Sequence, residues 1–199
     1  MVITFFGHSS TIYSDIDEKR LLEQIEKITK GNDVDFYLGG YGNFDALAKN
    51  CAKQYKISHP NARIIFVTPY LNKWLDERKD YIEKEYDEIL YPELEQTPLK
   101  FAISKRNEWM VKQADYVFAY VNTHYGGAYN ALLYAAKHNK PYMNLIIFDK
   151  NSAIVPARSG VYRVRNREFE NVTYNCFSAY AEFKCEIVHL FVTTFANNL

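Results

Sequence analysis

The chain has 199 residues, and 24 Lys and Arg balance 24 Asp and Glu, so its formal net charge is zero. This length fits one domain, and 48% hydrophobic residues are enough for a substantial core. Zero net charge argues against a general nucleic-acid binder that works by neutralising phosphates, and without a run of about 18 apolar residues we expect no membrane span.

Apolar runs and helical spacing alternate through residue 148. Short apolar runs predict strands, and apolar residues recurring every three or four positions predict helices. In chain order the predicted elements are strand 2–6, helix 15–30, strand 34–38, helix 44–57, strand 63–68, helix 73–88, a brief extended piece 89–91, helix 101–113, strand 116–121, helix 126–138 and strand 141–148. Such alternation predicts an α/β Rossmann-like three-layer sandwich, with a mainly parallel sheet between helices.

The sequence changes character after Lys150. Residues 159–175 are polar and basic with interspersed apolar residues, which predicts an edge hairpin. Residues 177–195 carry apolar side chains at helical spacing, which predicts a helix, although 188–195 is also rich in β-formers. We therefore expect a domain over 1–150 and a C-terminal extension over 151–199. This extension would pack on the same domain or on a partner subunit, which would make the protein a homodimer.

Cysteine usage and the first residues predict a reducing, cytoplasmic setting. Cys51, Cys176 and Cys185 are odd in number, widely spaced and without a CxxC pair, so neither a disulfide framework nor a zinc ribbon is indicated. The histidines show no ligand spacing with one another or with cysteine, and we expect no metal site. The opening MVITFFGHSS has no basic segment before a long apolar stretch, as a signal peptide would need.

Three predicted strands are followed directly by glycine-bearing segments. These segments are GHSS at 7–10, GGYG at 39–42 and YGG at 125–127. In a parallel sheet all three would lie at one edge, where ligands bind. Bare amide hydrogens at helix starts hold anions there, and glycine lets the backbone approach. A simple turn after each strand is the alternative. GxGxxG and GxxxxGK[ST] are both absent, which disfavours a standard NAD fold and a P-loop NTPase.

Four stretches in this order resemble the SLOG superfamily of Rossmann-like nucleotide-binding proteins. They are ITFFGHSS, FYLGGYGNFDALA, KRNEWMVKQADYVFAYV and GGAYNALLYAAKHNKPY, and together the resemblance covers residues 2–147. The superfamily includes LOG-type nucleoside-monophosphate phosphoribohydrolases and DNA-processing protein A. The chain looks most similar to the small bacterial subgroup whose sequences open with an FxGHR-like stretch.

The resemblance implies a nucleotide or nucleotide-derived ligand at the glycine-bearing edge, with no further cofactor. In LOG enzymes the second glycine loop holds the phosphate, a helical arginine faces the ligand, and a glutamate follows the second loop. Gly126 and Gly127 match that loop and Arg106 matches the arginine, but residues 128–131 read AYNA without a carboxylate. Glycosidic cleavage needs a carboxylate near the reacting centre, so the resemblance favours binding over hydrolysis.

Each polar candidate has a functional and a structural interpretation. Arg106 would bind phosphate through its fork-shaped guanidinium, or form a surface salt bridge with Glu108 or Asp115. Asp45 would accept a ribose hydroxyl or cap its helix. His8 would act as an acid or base, or form a structural hydrogen bond to the backbone. The predicted ligand-binding set is Gly7, His8, Ser9, Gly39, Gly40, Gly42, Asp45, Arg106, Asn107, Gly126 and Gly127, and the candidates for catalysis are Arg106, Asp45 and His8.

Three functions follow in order of preference. The first is a protein that binds a small-molecule nucleotide at the glycine-bearing edge, and the second is a nucleotide N-glycosidase of the phosphoribohydrolase type. The third is a DNA-handling protein that uses the tail arginines Arg158, Arg163, Arg165 and Arg167. A solvated edge hairpin is the preferred explanation of these arginines, because Glu168 and Glu170 follow at once and charge on an edge strand discourages aggregation. We therefore expect neither a nucleic-acid nor a membrane partner.

Overall fold

A computed structural model describes residues 1–10, 12–145, 161–165 and 170–175. Strands and helices alternate up to the sixth strand, and two further strands follow. The elements are β1 Val2–Gly7, α1 Asp15–Thr29, β2 Asp35–Leu38, α2 Asn43–Ser58, β3 Arg63–Val67, α3 Lys73–Glu85, β4 Glu88–Leu90, α4 Leu99–Gln113, β5 Tyr116–Tyr120, α5 Gly127–Lys137, β6 Tyr142–Asn144, β7 Val161–Arg165 and β8 Glu170–Asn175.

The first six strands form one parallel sheet in the order β4-β3-β2-β1-β5-β6. The chain therefore builds the sheet outward from β1 to β4, then returns to the other side of β1 to place β5. Strand order reverses between β1 and β5, which makes this the switch point where ligands bind in open α/β sheets. The predicted Rossmann-like sandwich is confirmed.

Both faces of the sheet are covered, because successive residues of a central strand point to opposite sides. Phe5 packs with residues of α1 and α2, whereas its neighbour Phe6 packs with residues of α4 and α5. The Phe5 ring lies 6.1 Å from that of Phe36 and 5.8 Å from that of Phe118, centroid to centroid. One aromatic layer thus spans β2, β1 and β5, and it fixes the three strands whose ends carry the glycines.

The boundary between α3 and β4 differs from the prediction. The charged pattern predicted a helix to residue 88, but α3 ends at Glu85, and β4 begins at Glu88. Asp87 N–H donates to Ile64 O, and Glu88 pairs with Ile65 in β3. Pairing with the sheet edge overrides local helical preference here, which a sequence pattern does not register.

Beyond the sheet, β7 and β8 form an antiparallel pair, as the predicted hairpin requires. The ladder shifts register at Arg165. The predicted helix 177–195 and the end of the predicted strand 141–148 lie outside the described residues, as do Arg158 and Arg167. Within the described ranges, none of the helices combines the length and apolar character needed to cross a membrane.

Candidate functional site

The three glycine-bearing segments follow β2, β1 and β5, which are neighbours in the sheet. We call the segments that follow these strands the β2 loop, the β1 loop and the β5 loop. Hydrogen bonds join them directly. Asn43 N–H donates to Ser9 O at 3.0 Å, which ties the β2 loop to the β1 loop. Asn122 N–H donates to His8 Nε2 at 3.2 Å, which ties the β5 loop to the β1 loop. The segments therefore meet at the carboxyl edge of the sheet, around its switch point.

His8 is the central link between these loops. Its Nε2 accepts from Asn122 N–H and lies 3.1 Å from Thr123 Oγ1. A ring nitrogen that accepts a hydrogen bond must be unprotonated, and burial lowers the pKa of His8. This geometry matches the structural interpretation of His8. Its role as an acid or base stays a prediction.

Protein atoms fill the space beside most of the glycines at this edge. A Cβ would lie within 2.4 Å of another residue at four of them, the pairs being Gly7 with Phe44, Gly39 with Arg106, Gly40 with Phe66 and Gly42 with Ser9. Real Cβ atoms do not approach so closely. At these four positions glycine allows the loops to pack against their own neighbours, so close internal packing suffices to explain it.

Gly126 differs from these four glycines. Its φ is +92°, and among the described residues no atom beyond Gly126 and its two chain neighbours lies within 4 Å of the position that a Cβ would occupy. It is the N-cap of α5 and provides no side-chain cap for the first turn. The N–H groups of a first helical turn have no partners within the helix. Within the described part of the chain, the start of α5 is therefore open at Gly126.

Asp45 closes the β2 loop on itself. It lies in the first turn of α2, and its Oδ2 accepts from Tyr41 N–H at 2.8 Å, with a further backbone hydrogen bond from Gly39. Burial raises the pKa of Asp45 to about 6, although the Arg106 guanidinium and the loop amides oppose this shift. The carboxylate thus occupies loop amides that were predicted to hold a phosphate. It does not cap α2, because these amides precede the helix and its N-cap Gly42 has no side-chain cap hydrogen bond.

Arg106 lies beneath the β2 loop and is only 3% exposed. Its Nη1 donates to Val67 O at 2.9 Å at the end of β3, and its Nε has no hydrogen-bond partner among the described residues. The predicted alternative of a surface salt bridge is wrong. Glu108 pairs with Lys105 at 2.7 Å, and Asp115 accepts from Val2 N–H at 2.8 Å. The pKa of Arg106 is lowered, because burial disfavours the charged guanidinium, and the nearby Asp45 carboxyl only partly opposes this shift.

Two adjacent residues of α4 face the two loops. Arg106 approaches Gly39 of the first loop, whereas Asn107 Nδ2 lies 3.6 Å from where a Cβ on Gly127 would be. Both side chains are buried. Arg106 and Asn107 thus lie beside different glycine-bearing loops, and their roles in ligand binding stay predictions.

Sequence reasoning missed three residues of this edge. Asn122 and Thr123 follow β5 directly and hold His8. Their position just after a predicted strand was the available signal. Tyr41 lies in the β2 loop, with its ring partly exposed. Its position between Gly40 and Gly42 was visible in the sequence, but the placement of its ring depends on residues far along the chain.

One crevice lies at the described part of this edge. This crevice between α1, α2 and the ends of β5 and β6 has room for about one water molecule. It is lined by Asp17, Arg20, Leu47, Tyr120 and Leu145. No group of three or more His, Cys, Asp or Glu residues within the described ranges is placed to hold a metal ion.

The raised pKa of Asp45 predicts a measurable pH dependence of stability. Between about pH 4 and pH 6 the folded protein retains a proton that the unfolded chain has released, since the pKa rises from 3.8 to about 6 on folding. The free energy of unfolding should therefore fall as pH rises through this window. Asp45→Asn should lack this fall in the free energy of unfolding. Urea unfolding of both proteins at several pH values measures the difference.

Asp76→Asn provides the matched control, because Asp76 also lies in the first turn of a helix, α3. It should keep the wild-type pH profile. If Asp45→Asn and the wild type lose stability equally between pH 4 and pH 6, Asp45 is not the group responsible.

Comparison with known proteins gives similarity in structure only. No protein-family model matches the chain, and no curated protein matches it. DNA processing protein A from Helicobacter pylori is 17% identical, with a TM-score of 0.50 over 71% of this chain and 63% of that one. The Streptococcus pneumoniae protein of the same name is 18% identical, with a TM-score of 0.49 over 70% of this chain and 48% of that one.

A third solved structure is the molybdenum cofactor binding protein from the phototrophic bacterium Rippkaea orientalis. It is 18% identical, with a TM-score of 0.47 over 71% of this chain and 73% of that one. The described chain thus matches about half to two thirds of the length of the two DNA processing proteins. Sequence identities this low support a shared fold only. Membership of the subgroup with the FxGHR-like opening stays a prediction. The likeness to the Helicobacter pylori protein shows a Rossmann-like α/β fold, as the sequence predicted, and the resemblance to the SLOG superfamily stays a prediction.

Proposed function

We propose that the protein binds a nucleotide or nucleotide-derived ligand and holds its phosphate at the first turn of α5. The observation that carries this proposal is the open space at Gly126, on a helix start that lacks a side-chain cap. Bare amide hydrogens and the positive end of the helix dipole favour an anion at such a position. The position also lies beside the switch point between β1 and β5.

The proposal assigns the phosphate to one loop, not to two. In the β2 loop, the amides of Gly39 and Tyr41 already bond the Asp45 carboxylate. In this arrangement an anion of the protein itself occupies the β2 loop. Arg106 contributes positive charge from beneath that loop but does not fork onto the phosphate, because its guanidinium is buried and bonded to Val67 O.

Nucleotide N-glycosidase activity is the second candidate, and the pKa of Asp45 favours it. A carboxyl group with a pKa of about 6 at a ligand-binding edge suits acid–base catalysis. However, residues 128–131 of α5 provide no carboxylate beside the proposed phosphate. Release of free base from a nucleoside monophosphate, lost in Asp45→Asn, would establish this activity. Without base release the protein only binds.

DNA handling remains the third hypothesis, and similarity in fold is its support. The Helicobacter pylori protein has a single-stranded DNA binding mode, and Arg163 and Arg165 of this chain lie in β7. Retention of DNA that weakens with salt and is lost in the Arg163→Ala, Arg165→Ala variant would support it.

Gly127→Asp tests the phosphate position. Gly127 begins α5, and a Cβ there would make only an ordinary contact with Asn107. The new carboxylate should stabilise the unliganded protein by about 0.3–1 kcal/mol, because it complements the helix dipole. It should also weaken binding of a nucleoside monophosphate by about tenfold or more through charge repulsion. The melting temperature with and without ligand measures both effects.

Gly127→Ala is the control, because it adds the same Cβ without charge. It should retain the rise in melting temperature that the wild type shows with ligand. Equal ligand affinity in Gly127→Asp and Gly127→Ala would place the phosphate elsewhere.

A further inference from the structure

Two aromatic rings lie side by side at the carboxyl edge, next to the β2 loop. Tyr41 follows β2 and Trp74 lies in the first turn of α3, which follows β3. Their ring centroids are 6.4 Å apart, and the ring planes differ by only 13°. Tyr41 is 42% exposed and Trp74 is 37% exposed. The pair therefore presents aromatic surface to solvent.

Guanidinium groups flank both rings. Arg106 Cζ lies 5.6 Å from the centroid of the Tyr41 ring, and Arg78 Cζ lies 4.8 Å from that of Trp74. Each contact is within the range of a cation–π interaction. The surface thus combines exposed aromatic rings with the guanidinium of Arg78, while buried Arg106 supports the Tyr41 ring from beneath. This combination matches a flat aromatic ligand that carries negative charge.

The backbone holds Tyr41 in place before any ligand arrives. Tyr41 N–H donates to Asp45 Oδ2 at 2.8 Å, and the ring lies against buried Arg106. The side chain of Asn72 accepts from the backbone of Leu75 and so fixes the first turn of α3 beside Trp74. A preorganised surface loses less conformational entropy on binding.

Other aromatic pairs in this fold contribute to packing. Tyr37 and Trp109 are stacked at 5.7 Å, and both belong to the layer that packs on the α4 side of the sheet. Tyr41 and Trp74, by contrast, lie at the rim of the described core. Within the described part of the fold, the pair belongs to no hydrophobic cluster, and its contacts with Arg106 and Arg78 leave aromatic surface exposed.

We propose that Tyr41 and Trp74 form a stacking platform for a nucleobase, a proposal that rests on the function assigned to this edge. Bases stack on aromatic side chains regardless of their sequence, because every base has a π-face. Arg78 and Arg106 add positive charge beside a ligand that carries phosphate. The β2 loop thus takes a base, whereas the start of α5 takes a phosphate.

The sheet order gives the spacing between the two subsites. β2 and β5 are separated by β1 alone, so their ends lie on the order of 10 Å apart across the sheet. Trp74 follows β3, which is one strand further out. A ligand that occupies both subsites must therefore extend across about two strand spacings. A dinucleotide or a stretch of single strand, which carries a base and a phosphate at such a separation, meets this requirement.

The test measures binding of four probes to the wild type, Trp74→Ala and Trp74→Phe. The probes are AMP, the dinucleotide ApA, a six-residue oligo(dA) and base-free ribose 5-phosphate. Tyr81→Ala is the control, since Tyr81 is an exposed aromatic residue of the same helix, two turns further from the edge. Melting of each free variant verifies that it folds.

Trp74→Ala should weaken binding of ApA or oligo(dA) by about 5- to 150-fold, as expected for loss of one stacked base. Trp74→Phe should recover much of this affinity, because it restores a ring. Tyr81→Ala should bind like the wild type, and ribose 5-phosphate should bind equally to all variants. If Trp74→Ala weakens binding of ApA, a free dinucleotide is long enough to reach the platform. If Trp74→Ala weakens binding of oligo(dA) but not of ApA, the ligand is a longer single strand.

Fluorescence gives a second readout. The chain has two tryptophans, so Trp109→Phe leaves Trp74 as the sole tryptophan. Stacking of a base should quench its emission, and ribose 5-phosphate should not. If ApA and oligo(dA) bind Trp74→Ala as tightly as the wild type, the proposal of a stacking platform is wrong, but the proposed phosphate site at α5 is unaffected. If none of the four probes binds the wild type, both proposals fail.

Discussion

Gly42→Ala is expected to lower the free energy of unfolding by about 2–6 kcal/mol, through two costs that act together. Gly42 has φ +85° and ψ 179°, a region that is essentially restricted to glycine and costs other residues about 1–3 kcal/mol. In addition, the new Cβ would lie 2.4 Å from Ser9 Cα. Backbone atoms cannot swing away as a side-chain tip can, and overpacking of this kind costs about 1–3 kcal/mol more.

Gly126→Ala separates these two costs. Gly126 is likewise an N-cap, with φ +92° and ψ 173°, but its Cβ would meet open space. It should lose only the conformational part, about 1–3 kcal/mol. Chemical unfolding of both variants gives the comparison. Equal losses would mean that the contact between the β1 and β2 loops is not close in solution.

Arg106→Met is expected to lower the free energy of unfolding by about 3–5 kcal/mol, although it roughly preserves side-chain volume. The guanidinium is buried, donates to Val67 O and lowers the pKa of Asp45. Its removal leaves the Asp45 carboxylate without a compensating charge in a crowded site, which is the main penalty when one member of a buried charged pair is lost. Urea unfolding at pH 7 measures the loss.

The double variant Arg106→Met, Asp45→Asn tests that explanation. With Asp45 neutral, the loss should be smaller than the sum of the two single changes by about 1 kcal/mol or more. Lys105→Met, at an exposed neighbour that pairs with Glu108, should leave the free energy of unfolding close to that of the wild type, because exposed ion pairs contribute little to stability. If the double variant loses as much free energy of unfolding as the two single variants together, Arg106 and Asp45 do not stabilise each other.

The candidate site was partly predictable from the sequence. Glycines that follow predicted parallel strands were expected to share one edge, and hydrogen bonds between these loops through Ser9 and His8 confirm the convergence. The sequence does not reveal which of these glycines face other protein atoms. Gly42 and Gly126 have nearly the same backbone conformation, yet one adjoins Ser9 and the other adjoins open space.

Arg106 illustrates the same limit for side chains. Its place on a helix was predictable, because apolar residues recur around it at helical spacing. Its burial depends on Gly39 and Val67, which lie far away in the sequence. The surface salt bridge considered for Arg106 was wrong because local neighbours in sequence did not provide its contacts.

The sequence by itself determined the alternation of strands and helices and the positions of the glycines after the strands, since both depend on local patterns of apolar residues and turn formers. Only the tertiary structure decided the strand order, the burial of Arg106, the capture of the β2 loop amides by Asp45 and the approach of Tyr41 to Trp74. These features join residues from different strands and helices. Packing between distant segments sets them, and the periodicity of any single segment carries no information about it.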